Sequence, residues 1–223
     1  MRRRRLFFAA CGLTALAASL TAACGAEDAA PSGTRIDADA SASIRGPAAP
    51  VPPAAGQRRI AVVYFSEPET EDRRAVQGST EFIATVIGKA TGGALYRIER
   101  SAPYPSSHEA LTAEAKEERD RGARPAIQGP GDLSEVDTVF LGYPIWWYDM
   151  PMPVYSFLEA YDLSGKTIIP FVTHGGSGLT GTADRIAAAE PGARVAGPAY
   201  EVYRTDVPEA EDSVLRWLGR LGF

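Results

Sequence analysis

The chain has 223 residues, enough for one sizeable core and a tail but not for two full domains. Apolar residues make up 45% and charged residues 23%, and setting aside the first 23 residues with their four arginines takes the net charge from -5 to -9, which argues against nucleic acid and anionic lipid as partners. Both cysteines, Cys11 and Cys24, fall in the N-terminal segment, and His108 and His174 are the two histidines, so a disulfide framework, a CxxC pair and most metal sites are excluded from the rest of the chain. Any redox chemistry there must come from an organic cofactor.

Arg2 to Arg5 form a positive start, and the 18 residues from Leu6 to Ala23 carry no charge and are rich in Ala, Leu and Phe. That length and composition suit a signal peptide better than a membrane span. The run Leu20-Thr21-Ala22-Ala23-Cys24 resembles a bacterial lipobox, in which small residues precede a cysteine that becomes the acylated first residue. Leu20 stands one position early and Thr21 takes its place; simple cleavage nearby, leaving a free thiol, is the alternative. Arg4-Arg5-Leu6-Phe7-Phe8 resembles a twin-arginine export signal, unless the four arginines are only a strong basic start. From Cys24 to Gln57 the chain is Ala, Pro, Ser, Gly and Asp with almost no large apolar residue, and it cannot bury enough surface to order itself. The expected organisation is a signal peptide over 1–23, a disordered tether over 24–57 and a folded domain over 58–223. The protein would be exported and held at the outer face of the cell membrane by a lipid on Cys24, with no other membrane contact.

The continuous apolar run Ile60-Ala61-Val62-Val63-Tyr64-Phe65 reads as a strand covered on both faces. Phe82, Ile83, Val86 and Ile87 have helical spacing, and Gly92-Gly93 offer a C-cap. Ala94 to Ile98 is a second strand, and Ser106-Ser107-His108-Glu109 has capping-box spacing for a polar helix running to about Arg121. Thr138 to Tyr143 is a third strand, Val154 to Tyr161 a short helix, and Thr167 to Thr173 a fourth strand. A helix over Thr182 to Ala189, a last strand over Arg194 to Tyr203 and a closing helix over Ala210 to Leu221 complete the chain. Alternating strands and helices predict a doubly wound parallel α/β sheet with helices on both faces, whose ligand site lies at the carboxyl ends of the strands.

Three loops would meet there. The first runs from Ser66 to Gly78 and enters a helix through Gln77-Gly78-Ser79-Thr80, where free N–H groups, a close-approach glycine and the Ser66, Ser79 and Thr80 hydroxyls can hold a phosphate or merely cap the helix. The second, Pro144-Ile145-Trp146-Trp147-Tyr148-Asp149-Met150-Pro151, places three aromatics in a row after a buried strand, a wall for a flat ligand or else a hydrophobic lid or partner surface. The third, Thr173-His174-Gly175-Gly176-Ser177-Gly178, brings its backbone close to something, and His174 either contacts that ligand or bonds its own loop. The third loop also looks like the oxyanion-hole loop of some hydrolases, but no G-x-S-x-G elbow exists, since Leu179 stands where the final Gly is needed.

Ile60 to Ser66, Gly78-Ser79-Thr80, Gly142 to Trp147 and Thr173 to Gly178, in that order, resemble a flavodoxin-like FMN-binding family over roughly Arg59 to Phe223. The resemblance implies a five-stranded sheet ordered 2-1-3-4-5, the FMN phosphate in the first loop and the isoalloxazine ring between the second and third. It implies that Trp146 or Trp147 stacks on the ring, and that backbone groups of Trp146, Trp147, Gly175 and Gly176 bond its polar edge. Here the first loop is longer than in relatives, Ser79 replaces an Asn, and Tyr148 stands where relatives commonly have Gly. Electron transfer with a redox partner protein or a small-molecule donor or acceptor is the function implied. An NAD(P)H- or quinone-dependent flavin oxidoreductase is one alternative, and a cofactor-free binding lipoprotein that keeps the fold is another.

Overall fold

A computed structural model describes residues 58–68 and 77–223. The expected signal peptide, Cys24, the tether and residues 69–76 of the first loop lie outside the described residues.

The buried run at the start of the domain is strand β1 (Ile60–Tyr64), followed by helix α1 (Ser79–Thr91) and β2 (Ala94–Arg97). A short β3 (Glu99–Arg100), α2 (His108–Arg121) and a short β4 (Ile127–Gln128) lead to β5 (Thr138–Pro144). Then come α3 (Met152–Ala160), β6 (Thr167–His174), α4 (Thr182–Ala189), β7 (Arg194–Val195), β8 (Tyr200–Tyr203), a 3-10 turn (Arg204–Glu209) and α5 (Glu211–Leu221). The main sheet is parallel throughout and runs β2-β1-β5-β6, with β7 and β8 both on the far edge of β6.

The expected strand order is present, with its fifth place split in two. β7 pairs with Thr167–Ile168 of β6, and β8 with Phe171–His174. Between them Pro198 has no N–H for the ladder, and its carbonyl accepts a bond from Trp217 Nε1 of α5 at 2.8 Å. The last strand is therefore shorter than Arg194 to Tyr203. Two further corrections apply. Ser107 caps α2, accepting from the Ala110 N–H at 3.2 Å, one residue later than the Ser106 box spacing suggests. The antiparallel pair β3–β4, two residues on each side, was too short to show a period.

Each strand alternates its side chains between two cores. Ala61, Val63 and Phe65 join Leu111 of α2 and Val154, Phe157 and Ile186 of α3 and α4 on one face. Val62 and Tyr64 join Ile83 and Ile87 of α1 and Val214, Trp217 and Leu218 of α5 on the other. Burial on both faces explains the continuous apolar runs and leaves the carboxyl ends of β1, β5 and β6 as the open edge.

Candidate functional site

At that edge a cleft of about 380 Å³ opens, within the usual size for small-molecule sites. Ser66, Ser79, Thr80, Pro144, Ile145, Trp146, Trp147, Thr173, His174 and Gly175 line it. Gln77, Gly78 and Gly176, also expected at the site, do not line it.

The first loop is built around Gly78, the N-cap residue of α1, which offers no capping side chain. The Ser66 hydroxyl supplies the cap across the loop, accepting from the Glu81 N–H at 3.3 Å. A Cβ on Gly78 would stand 2.2 Å from Ser66 Oγ, so only glycine permits this contact. Among the described residues the N–H groups of Ser79 and Thr80 find no protein partner, as at any helix start. Thr80 Oγ1 lies 2.9 Å from Thr173 Oγ1, a buried bond that ties the first loop to the third. Gln77 turns away, donating from Nε2 to Thr85 Oγ1 at 2.9 Å. Arg97 of β2 donates from Nη2 to the Ser66 carbonyl at 2.5 Å and pairs with Glu81 at 3.4 Å, setting a cation behind the loop.

The second loop is a tight turn. The Trp146 N–H donates to the Asp149 carbonyl at 2.9 Å and the Asp149 N–H to the Trp146 carbonyl at 3.0 Å. The two residues between, Trp147 and Tyr148, have φ of 52° and 65°. The Trp146 ring meets Phe65 and Tyr104 edge-on, with centroids 5.4 and 5.5 Å away. Beneath it Tyr104 donates to the buried carboxylate of Glu118, which Arg100 also approaches at 3.5 Å. Burial, then that bond, push the Tyr104 hydroxyl pKa up, so it stays a donor. Trp147 is 37% exposed and Tyr148 70%.

In the third loop His174 accepts from the Gly176 N–H through Nδ1 at 3.0 Å, and its ring meets Tyr203 edge-on at 5.9 Å. His174 lines the cleft and bonds its own loop. Some of the backbone groups expected at a ligand's polar edge are already engaged within the protein. The backbone of Trp146, the Trp147 carbonyl and the Gly176 N–H already have protein partners. Among the described residues the N–H groups of Trp147 and Gly175 find none.

A fourth wall was missed. The α2 face brings Leu111, Thr112 and Ala115 into the cleft, with His108 at its start, and the 3-10 turn adds Arg204. The spacing of Leu111 and Ala115, one helical turn, was the available signal within an otherwise polar helix. Among the described residues no cluster of His, Cys, Asp and Glu could hold a metal ion, and no helix is long and apolar enough to cross a membrane.

A doubly wound parallel sheet with a polar notch at one helix start and aromatic walls beside it is the arrangement that holds nucleotide-type cofactors. The chain belongs to the flavodoxin family, whose model matches residues 60–211. It is similar to a candidate flavoprotein from Bacteroides uniformis, with 26% identity, a TM-score of 0.60, and coverage of 73% of this chain and 98% of that one. A candidate flavoprotein from Bacteroides eggerthii is 29% identical, with a TM-score of 0.55 and coverage of 70% and 97%. The fold also matches a Lactobacillus acidophilus flavoprotein in complex with FMN, at 16% identity, a TM-score of 0.53 and coverage of 68% and 97%. Among curated proteins none matches the chain significantly.

Proposed function

We propose that this protein binds FMN in the cleft and transfers electrons through it. The observation that carries the reading is the joining of two unlike halves in one space. The Ser66, Ser79 and Thr80 end is polar and sits on a helix start, and the Trp146, Trp147, Leu111 and Ala115 end is apolar and aromatic. FMN has the same division, with a phosphate on a polar chain and a flat ring. The residues present fit it. The Ser79 and Thr80 N–H groups, the Ser79 hydroxyl and the helix dipole would hold the phosphate at the start of α1. Trp146 and Trp147 would wall the ring, and the N–H groups of Trp147 and Gly175 remain as donors to its edge. When bound, the flavin supplies the electron chemistry, while this chain binds it, orients it and shields it from water.

Family membership and the fit of the cleft support the reading. Photoreduced, FMN-loaded protein mixed with a one-electron acceptor such as ferricytochrome c should reoxidise in a single turnover, and it should oxidise NADH or NADPH no faster than free FMN does. Rapid, saturable NAD(P)H oxidation would replace the carrier with a flavin oxidoreductase. We further propose that the protein is an exported lipoprotein anchored through Cys24, on the strength of the uncharged Leu6 to Ala23 run and the small residues before the cysteine. Metabolic labelling with palmitate should mark the wild type and not Cys24→Ser; label on both variants would refute the anchor.

A further inference from the structure

Two consecutive aromatic residues in the left-handed region are unusual, because L side chains there crowd the following carbonyl. A two-residue turn with positive φ at both central positions is normally filled by Asn-Gly or Gly-Gly. Here Trp147 and Tyr148 fill it. Such strain persists only where the surroundings over-determine it, and it concentrates at ligand sites.

The surroundings are two arginines from separate helices. Arg119 of α2 donates from Nη1 to the Trp147 carbonyl at 2.8 Å, and its guanidinium lies 5.9 Å from the indole centroid. The Trp147 Nε1–H is fastened to the Thr112 carbonyl of the same helix at 3.1 Å. Arg185 of α4 pairs with the Asp149 carboxylate at 3.1 Å and approaches the Tyr148 carbonyl at 3.4 Å. Asp149 is fixed in turn by the Tyr155 hydroxyl at 2.9 Å and the Met150 N–H at 2.7 Å. Each carbonyl inside the turn thus faces an arginine, and Trp147 is left standing as a wall of the cleft.

We propose that Arg119 and Arg185 are positioning residues of the cofactor site. Their contacts offset the strain of the Trp147–Tyr148 turn and so hold Trp147 where a flat ligand meets it. The proposal rests on the FMN reading, but the turn can be observed without flavin. In the wild-type chain without flavin, exchange of the Asp149 amide, which bonds Trp146, should be slow. In Arg119→Ala/Arg185→Ala it should be at least tenfold faster, and the dissociation constant for FMN should rise at least tenfold, with far-UV circular dichroism unchanged.

Adding Tyr148→Gly to that double variant removes half of the strain and should bring both quantities at least threefold back toward wild type. A loss that Tyr148→Gly fails to reverse would mean that the arginines act on general stability, and would overturn the proposal. Unchanged exchange and FMN affinity in the double variant would overturn it too. A wild-type chain that takes up no FMN refutes the cofactor reading, and with it the service of the clamp to a flavin. The exchange rates then still decide whether the arginines hold the turn.

Discussion

At the scale of single residues, the Ser66–Gly78 contact is the most exacting feature of the cleft. Gly78→Ala would force a methyl group to within 2.2 Å of Ser66 Oγ. The serine must rotate away and give up its cap on the α1 N-terminus, so chemical denaturation should show a loss of about 0.5–2 kcal/mol, the usual cost of a lost helix cap. FMN affinity should fall with it, and a variant as stable as wild type would contradict the placement. A second residue tests the electrostatics away from the cleft. Burial, then the nearby Asp162 carboxylate, raise the pKa of Glu190 above the ordinary 4.5, while the Leu163 N–H pulls it down. A raised folded-state pKa means that the folded protein holds the proton more tightly than the unfolded chain does. Glu190 therefore contributes stability below its unfolded pKa, and that contribution is lost as pH rises through the folded value. Glu190→Gln should raise Tm at pH 7 and leave it unchanged as pH falls below 4.5. An equal Tm at both pH values would show that the carboxyl is not disfavoured by its surroundings.

At the scale of elements, the first and third loops are one unit because Thr80 and Thr173 bond each other out of water. Thr80→Val leaves the Thr173 hydroxyl buried and unpaired, a cost of about 1–3 kcal/mol. Melting of the variant in urea should show that loss; no change would mean that water or another group satisfies Thr173. What the sequence showed of these elements follows their length and their burial. α4 was legible to the residue, and α1, α3 and α5 to within two residues, because their apolar faces repeat over at least two turns. β1, β5 and β6 were legible because burial on both faces makes them continuous apolar runs. The β3–β4 pair was not, since two residues carry no period. The α2 wall was hidden because Leu111 and Ala115 are its few buried apolar positions among charged neighbours. The turn at Trp147 and Tyr148 was visible only as a run of aromatics, since Arg119 and Arg185 reach it from helices far away in the chain.

At the scale of the whole molecule, acidity sets the expected redox behaviour. Without its first 23 residues the chain carries a net charge of -9, and the cleft lining, with Glu67 and Arg204 both in it, does not reverse that sign. Adding an electron to a flavin there works against that field, so the midpoint for its second electron should lie below that of free FMN and rise as salt screens the charge. Spectroelectrochemical titration at two ionic strengths measures both, and a midpoint at or above that of free FMN would contradict the electrostatic account.

The central claim is that one cleft, made by three loops and the α2 face, holds FMN. It is tested most directly by titrating the purified chain with FMN while following visible absorbance and flavin fluorescence. A saturable, one-to-one change with shifted flavin bands and quenched fluorescence is the predicted result. A chain that stays colourless and leaves the fluorescence of added FMN untouched would mean that the family's fold is present without its cofactor.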